Sequence, residues 1–195
     1  MQPWAAGTAP VELPADAPSR AFLKMEEALR WAGLPVLAGQ LVVEVGSAPG
    51  GASFALLRRG VNVIGVDPGA MAPQVLAFDG GQTWFRHLDV PVGALSKGDL
   101  PKDVDWLALD VNLAPPVALR YVERIVGPRR GRLRGAILTL KMNDAEMAAK
   151  IPSLLQHVRK MGFTSVVATQ LPSNRREICV VALNPALPDD KLVND

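Results

Sequence analysis

The segment GSAPGG, Gly46 to Gly51, is the first part of the sequence whose residue types could bind a ligand. It follows the apolar run LVVEV and precedes an apolar stripe that ends in two arginines. A glycine turn between a strand and a helix lets the backbone approach a ligand, and free N–H groups at the helix start favour negative charge. No GK[ST] follows the loop, and Pro49 with the paired glycines breaks the GxGxxG spacing, which excludes both familiar phosphate motifs. Taken by itself, the loop is equally compatible with an anion site and with a structural turn.

Two aspartates at predicted strand ends change the ligand expected at this loop. Asp67 ends the run VNVIGVD about twenty residues after the loop, where an acid can accept hydrogen bonds from ribose hydroxyls. Asp89 ends TWFRHLD and could in the same way face an adenine amino group. The alternative for each is a solvated carboxylate in a turn. A nucleoside that carries a small carboxylate, rather than a pyrophosphate, suits a short loop with no lysine.

Alternating strands and helices must position these residues. Seven β-branched or aliphatic runs predict strands at 41–45, 61–67, 83–89, 104–110, 135–141, 164–170 and 177–183. Helical segments lie between several of them, and the segment from the cap-type residue Ser19 to Gly33 predicts an amphipathic helix before the first strand. The alternation predicts an α/β fold with a mostly parallel seven-stranded sheet and helices on both faces.

The final strand is expected to break the parallel pattern. Only LPSNRR separates the strands at 164–170 and 177–183, and six residues cannot carry the crossover that a parallel neighbour demands. The last strand should therefore run antiparallel, so that it begins at the edge where the parallel strands end. That edge is where open α/β sheets bind ligands.

Composition restricts the remaining possibilities. The chain has 195 residues, 49% of them apolar, which predicts one domain at 19–195 after an extended Ala/Pro-rich arm at 1–18. The formal net charge of +2 is too small to indicate nucleic acid by itself. The absence of a targeting signal and of a long uncharged run predicts a cytoplasmic protein with no membrane partner. The single cysteine, Cys179, is expected to be buried, and no metal site is predicted.

Seven segments resemble the FtsJ-type family of S-adenosylmethionine-dependent RNA ribose 2'-O-methyltransferases, and in particular its RlmM branch, which modifies a cytidine of bacterial large-subunit rRNA. The segments are SRAFLK (19–24), EVGSAPGG (44–51), VDPGAMA (66–72), TWFRHLD (83–89), LALDV (107–111), LTLKM (138–142) and RREICVV (175–181). A Lys-Asp-Lys-Glu tetrad marks the family, and the matching residues are Lys24, Asp110, Lys141 and Glu177. The resemblance implies a Rossmann-like class I methyltransferase fold with S-adenosylmethionine as cofactor and S-adenosylhomocysteine as product.

The resemblance also implies a role for Lys141, and the chemistry of the transfer suggests roles for the other three residues. Lys141 is the expected general base, and Asp110 and Glu177 are expected to orient the lysines and the hydroxyl. Lys24 and burial should lower the pKa of Lys141, whereas Asp110 should raise it. The implied cofactor-binding residues are Gly46, Ser47, Ala48, Pro49, Gly50, Gly51, Asp67, Asp89 and Asp110. The chain departs from its relatives at Ala52, because they commonly carry a tryptophan directly after the paired glycines, and this residue belongs to the floor of the cofactor pocket.

The directions of the predicted strands are enough to predict that three of these residues lie close together. Asp110 and Lys141 end two parallel strands, and Glu177 begins the antiparallel one, so all three should converge at one rim. Lys24 must be delivered by the preceding helix. Taken singly, each residue has an ordinary explanation as a surface charge.

Two arginine clusters could contact RNA. Arg175 and Arg176 directly precede Glu177 and should lie at the active rim, where phosphate contacts would position a ribose. The cluster PRRGRLR (128–134) precedes its strand, so a solvated loop at the opposite rim is favoured. Trp84 and Phe85 could stack on bases, but in a strand they are expected to fill the core.

Three functions stay open. They are an RNA ribose methyltransferase, a methyltransferase of small hydroxylated molecules, and a cofactor-binding module without catalysis, against which the complete tetrad argues. RlmM-like proteins usually carry an N-terminal RNA-binding domain that the arm does not match. Either this domain recognises large-subunit rRNA itself, or a partner protein or a further segment does so. A monomer is the default expectation.

Overall fold

The computed structural model describes residues 11–96, 98–129 and 131–184. Within them, seven strands form one sheet: β1 Leu41–Val45, β2 Asn62–Val66, β3 Phe85–Leu88, β4 Trp106–Asp110, β5 Gly135–Lys141, β6 Ser165–Thr169 and β7 Glu177–Leu183. The α-helices in these ranges are α1 Ala21–Ala32, α2 Gly51–Leu57, α3 Pro73–Leu76, α4 Pro115–Val126, α5 Ala145–Ala149 and α6 Ile151–Lys160. Residues 1–10 of the predicted arm, Arg130 of the arginine cluster and residues 185–195 lie outside the described residues.

The strand order is β3-β2-β1-β4-β5-β7-β6. Neighbouring strands run parallel except at β7, which pairs antiparallel with both β5 and β6. The predicted α/β fold and its antiparallel last strand are therefore confirmed. The register places Lys141 directly opposite Glu177, and Asp110 opposite Thr139 on the next strand.

The core has two layers, one on each face of the sheet. Because side chains alternate along a strand, Leu107 and Leu109 of β4 pack with α4 and α6 on one face, whereas Trp106 and Ala108 pack with α1 and α2 on the other. Both faces are covered, which is why the parallel strands read as continuous apolar runs. Within the described ranges, the helices are too short or too polar to span a bilayer.

Helix α1 carries the predicted apolar stripe, with Phe22, Met25 and Leu29 buried, and it ends at Gly33 with φ of 57°. The prediction that Ser19 caps the helix is wrong, because Arg20 occupies the N-cap position. The Ser19 hydroxyl instead accepts a hydrogen bond from the Ala21 amide at 3.3 Å. The same hydroxyl lies against Gly51, where an added Cβ would come within 2.3 Å of its Oγ. The start of α1 is thus in direct contact with the glycine loop.

Two further segments bear on the predictions. The described part of the arm contacts the domain, because Val11 is buried against the α1 and α2 layer and the Gln74 side chain donates to the Asp16 carbonyl at 2.9 Å. Trp84 does not fill the core as expected and is 43% exposed. It precedes β3, where its amide donates to the Asn62 side chain, while Phe85 is half-buried.

Candidate active site

The four tetrad residues form a closed ring of alternating charge at the carboxyl end of the parallel strands. Lys24 Nζ lies 2.9 Å from Asp110 Oδ2 and 2.6 Å from Glu177 Oε2. Lys141 Nζ lies 3.4 Å from Asp110 Oδ1 and donates a hydrogen bond to Glu177 Oε1. The side chains are 11 to 20% exposed, so the ring is shielded but reachable from solvent. Each ammonium therefore bridges both carboxylates.

The fold explains how residues far apart in sequence reach one place. Asp110 and Lys141 are the last residues of β4 and β5, and Glu177 is the first of β7. Lys24 comes from the first turns of α1, which packs on α2 and approaches β7. These side chains therefore lie together, as the strand directions predicted.

The opposing influences expected on the pKa of Lys141 do not lower it in this arrangement. Burial does lower the pKa of Lys141, but its hydrogen bonds to Glu177 and Asp110 and the charges of these carboxylates outweigh burial and raise it above 10.5. The sequence suggested Lys24 and burial as the lowering influences, but in the structure Lys24 is held by the same carboxylates. Lys141 is therefore an ammonium group at neutral pH in the free protein.

Glu177 responds in the opposite direction. Burial raises its pKa, but the hydrogen bonds and charges of Lys141 and Lys24 outweigh burial and lower it below its ordinary value. A buried neighbour, Asn174, donates from Nδ2 to Glu177 Oε2 at 3.4 Å. Sequence reasoning missed Asn174, although its place three residues before Glu177 in the β6–β7 loop was a signal that it could reach that carboxylate.

The glycine loop lies beside this ring. An added Cβ at Gly46, whose φ is 83°, would come within 2.2 Å of the Asp110 carbonyl oxygen, so only glycine permits this close approach. The Asp67 carboxylate accepts from the Ala48 amide at 3.2 Å and from the Gly69 amide at 2.7 Å, which ties the loop to the end of β2. Asp89 is exposed just beyond β3.

The remaining predicted loop residues differ in exposure. Ser47 is buried and its hydroxyl contacts Met71 Sδ at 3.7 Å. The peptide bond between Ala48 and Pro49 is cis, and Pro49 is exposed. Gly50, with φ of 110°, precedes the first residue of α2.

A pocket opens beneath the ring. Lys24, Asp110 and Asn174 contribute to its lining, together with Ala52 and the buried Glu44. Ala52, where the sequence departs from its relatives, is one of the lining residues. Cys179, buried as predicted, also lines the pocket, and burial followed by the charge of a nearby glutamate raises the pKa of its thiol to about 12.

Glu44 is a candidate that sequence reasoning missed. Its side chain is buried in β1 and accepts a hydrogen bond from the Ser53 hydroxyl at 2.5 Å. Burial raises the pKa of Glu44, the Ser53 hydrogen bond lowers it, and the charges of Asp110 and Asp67 raise it further, to about 8. The available signal was an acid two residues before the glycine loop, in an otherwise apolar strand.

The arginine clusters divide as their positions predict, with one correction. Arg175 and Arg176 are exposed and lie next to Glu177 at the active rim. At the opposite rim, Arg132 and Arg134 pair with Asp103 and Asp105. Arg129 is not solvated as expected but buried.

The burial of Arg129 has a clear structural cause. Its guanidinium donates to the carbonyls of Leu100, Pro101 and Ile125 at 2.8 to 2.9 Å. These bonds satisfy the charged group and fasten α4 to the segment before β4. Arg129 therefore stabilises the fold at the rim of the sheet opposite the candidate site.

Solved structures with the same fold include magnesium protoporphyrin IX methyltransferase (ChlM) from Synechocystis with bound SAM. It has a TM-score of 0.60 and 17% sequence identity over 85% of this chain and 80% of that one. A Plasmodium falciparum protein described as a ribosomal RNA methyltransferase has a TM-score of 0.58 and 16% identity over 86% of this chain and 97% of that one. The architecture is that of the Rossmann-like S-adenosylmethionine-dependent methyltransferases.

The sequence comparisons are more specific. The profile of the FtsJ-like methyltransferases matches residues 17–114, and the chain belongs to that family. Two curated relatives are each named ribosomal RNA large subunit methyltransferase M. The one from Azotobacter vinelandii is 30% identical over 94% of this chain and 53% of its own length, and the one from Halorhodospira halophila is 33% identical over 92% and 51%. The chain thus spans about half the length of these relatives.

Proposed function

We propose that this protein transfers a methyl group from S-adenosylmethionine to a ribose 2'-hydroxyl of RNA, with large-subunit rRNA as the substrate. The observation that carries the proposal is the closed Lys24–Asp110–Lys141–Glu177 ring beside the glycine loop. The names of the curated relatives support ribosomal RNA as the substrate class.

The residues around the glycine loop fit this cofactor. Asp67 and Asp110 lie near Glu44, whose pKa is raised mainly by burial and further by the charges of these two carboxylates. A sulfonium and an α-ammonium group would relieve this concentration of negative charge. When bound, S-adenosylmethionine supplies an electrophilic methyl group. The loop Gly46–Gly51 would hold its methionine part, Asp67 its ribose and Asp89 its adenine.

The ring residues would then position and deprotonate the hydroxyl. A ribose hydroxyl is a weak nucleophile, so its alignment and the removal of its proton both matter. In this proposal Asp110 and Glu177 hold the two lysine ammonium groups in place, and Lys24 fixes the positions of the two carboxylates relative to each other. Lys141 is the general base once it has lost its own proton, and the fraction of Lys141 in that form limits the rate.

The proposal is tested by incubating the protein with labelled S-adenosylmethionine and total rRNA. Incorporation of label is expected with wild type, and Lys141→Met should lower it by about 10² to 10⁴-fold without loss of cofactor binding. The matched control is Lys150→Met, which alters an exposed lysine paired with Glu146 and should leave the rate unchanged. Alkaline hydrolysis then locates the methyl group, because a methylated 2'-oxygen cannot attack the adjacent phosphodiester.

Three results would reject the proposal. They are label at wild-type level with Lys141→Met, label recovered only in alkali-sensitive linkages, and no label in any RNA. A transfer of label to small hydroxylated compounds in the last case would favour the alternative methyltransferase.

A further inference from the structure

Two neighbouring glutamates of α1 are buried, although carboxylates are seldom buried unless they are paired. Glu26 is paired with Arg59, whose guanidinium donates two hydrogen bonds at 2.6 and 2.7 Å. Glu27, at 0% exposure, binds a different kind of partner. The Ser173 amide donates to its Oε2 at 2.9 Å and the Ser173 hydroxyl donates to its Oε1 at 2.6 Å.

Both residues of this contact, Glu27 and Ser173, lie close in sequence to a residue of the ring. Glu27 lies three residues after Lys24, on the same side of α1. Ser173 belongs to the β6–β7 loop at 170–176, which ends at Glu177. Asn174 in the same loop is bonded to Leu171 through its amide and side chain, at 2.9 and 3.0 Å, so the loop is a tight turn around the Glu27 carboxylate.

The ring cannot position α1 by itself. Lys24 and Glu177 belong to a helix and a strand that share no ladder of backbone hydrogen bonds, and they are linked only through side chains at the rim that are 11 to 20% exposed. Glu27 is fully buried, so its two hydrogen bonds are less screened by solvent than the ion pairs at the rim. The Glu27–Ser173 contact is therefore the stronger link between the helix that carries Lys24 and the loop that leads to Glu177.

We infer that Glu27 is a positioning residue, whose carboxylate holds Ser173 and so sets both the distance between Lys24 and Glu177 and the placement of Arg175 and Arg176. The catalytic consequence rests on the proposed function. The geometric consequence does not, because it concerns the ring alone.

The matched pair Glu27→Met and Glu26→Met tests this inference. Both remove a buried carboxylate from α1, and both should lower the melting temperature. Only Glu27→Met should lower kcat for RNA, by about 10 to 100-fold, with cofactor affinity unchanged. Glu27→Gln should restore kcat, because an amide oxygen still accepts from the Ser173 amide and its NH₂ group can donate to the Ser173 hydroxyl.

A second measurement needs neither RNA nor cofactor. In protein with ¹³C-labelled lysine, the pKa of Lys141 should fall in Glu27→Met, since Glu177 no longer holds it, and should stay at the wild-type value in Glu27→Gln and Glu26→Met. If Glu27→Met does not fold, Ser173→Ala is used in its place. It should lower kcat for RNA and the pKa of Lys141 by smaller amounts.

The outcomes separate the two proposals. Equal kcat and equal Lys141 titration in Glu26→Met and Glu27→Met would overturn the positioning role. A wild-type protein that methylates no RNA would reject the proposed function, and the lysine titration alone would then decide the role of Glu27.

Discussion

Replacing Glu44 by Gln should reduce the fall in the free energy of unfolding of this protein between pH 5 and pH 8. Glu44 is 2% exposed in the middle of the sheet, with the Ser53 hydroxyl bonded to it. Burial raises its pKa, and despite the opposing effect of Ser53 the value reaches about 8, compared with 4.5 for an ordinary glutamate. The folded protein therefore keeps a proton on Glu44 that the unfolded chain has already released.

The sign and size follow from this difference. Between pH 4.5 and about 8 the unfolded state binds fewer protons than the native state, so the free energy of unfolding falls as the pH rises. At about 1.4 kcal/mol per pH unit, the whole interval corresponds to about 5 kcal/mol, and the part between pH 5 and pH 8 to about 3 kcal/mol. A glutamine is neutral throughout, so this contribution disappears in Glu44→Gln.

The assay is urea unfolding of wild type and Glu44→Gln at several pH values from 5 to 8. The variant carries an amide NH₂ without an equivalent partner, which costs about 1 to 3 kcal/mol at every pH. The informative quantity is therefore the change of stability with pH, which should be about 3 kcal/mol smaller in Glu44→Gln than in wild type. Glu12→Gln, at an exposed position, should follow wild type. Parallel curves for wild type and Glu44→Gln would refute the reasoning.

Three further predictions concern the rim. The value of kcat/KM for the cofactor, which reports the protein before cofactor binds, should rise about tenfold per pH unit from pH 7 to above pH 9, because burial lowers the pKa of Lys141 less than the ring carboxylates raise it. A plateau below pH 9 would contradict this. Arg175→Ala and Arg176→Ala should each raise KM for RNA and reduce the salt slope by about one, whereas Arg132→Ala at the opposite rim should change neither. Asp67→Asn should weaken cofactor binding by about 10 to 100-fold in calorimetry and leave the affinity for RNA unchanged.

The fold was largely predictable because its rules act locally. Each strand was placed within two residues of its observed ends, since apolar runs between turn residues are specific for buried parallel strands. The short connection before β7 was enough to predict its direction. Once that direction is known, Asp110, Lys141 and Glu177 must share one rim, whatever their function.

What the sequence did not reveal depends on tertiary partners. Glutamate is a typical surface residue, so the sequence does not indicate that Glu27 and Glu44 are buried. Their burial is tolerated because Ser173 donates hydrogen bonds to Glu27 and Ser53, on another element, donates one to Glu44. The direction of the pKa shift of Lys141 could not be decided from the sequence for the same reason. Burial and two carboxylates act on it in opposite senses, and their balance is set by distances that the sequence does not contain.

The negative charge beneath the glycine loop links stability to the proposed activity. Burial makes the ionisation of Glu44 unfavourable in the free protein, and the charges of Asp110 and Asp67 add to it; this cost appears as the pH dependence of unfolding. The same three carboxylates favour a cation at the loop, and a cation there would lower the pKa of Glu44. By linkage, such a ligand must then bind more tightly as the pH rises. Asp110 also holds both ring lysines, so a positive charge beside it would weaken its hold on Lys141 and bring the pKa of that lysine down. A resting site that keeps Lys141 protonated is therefore compatible with the proposed role of Lys141 as the base, because a positively charged group bound at the loop would oppose the charge that holds the proton.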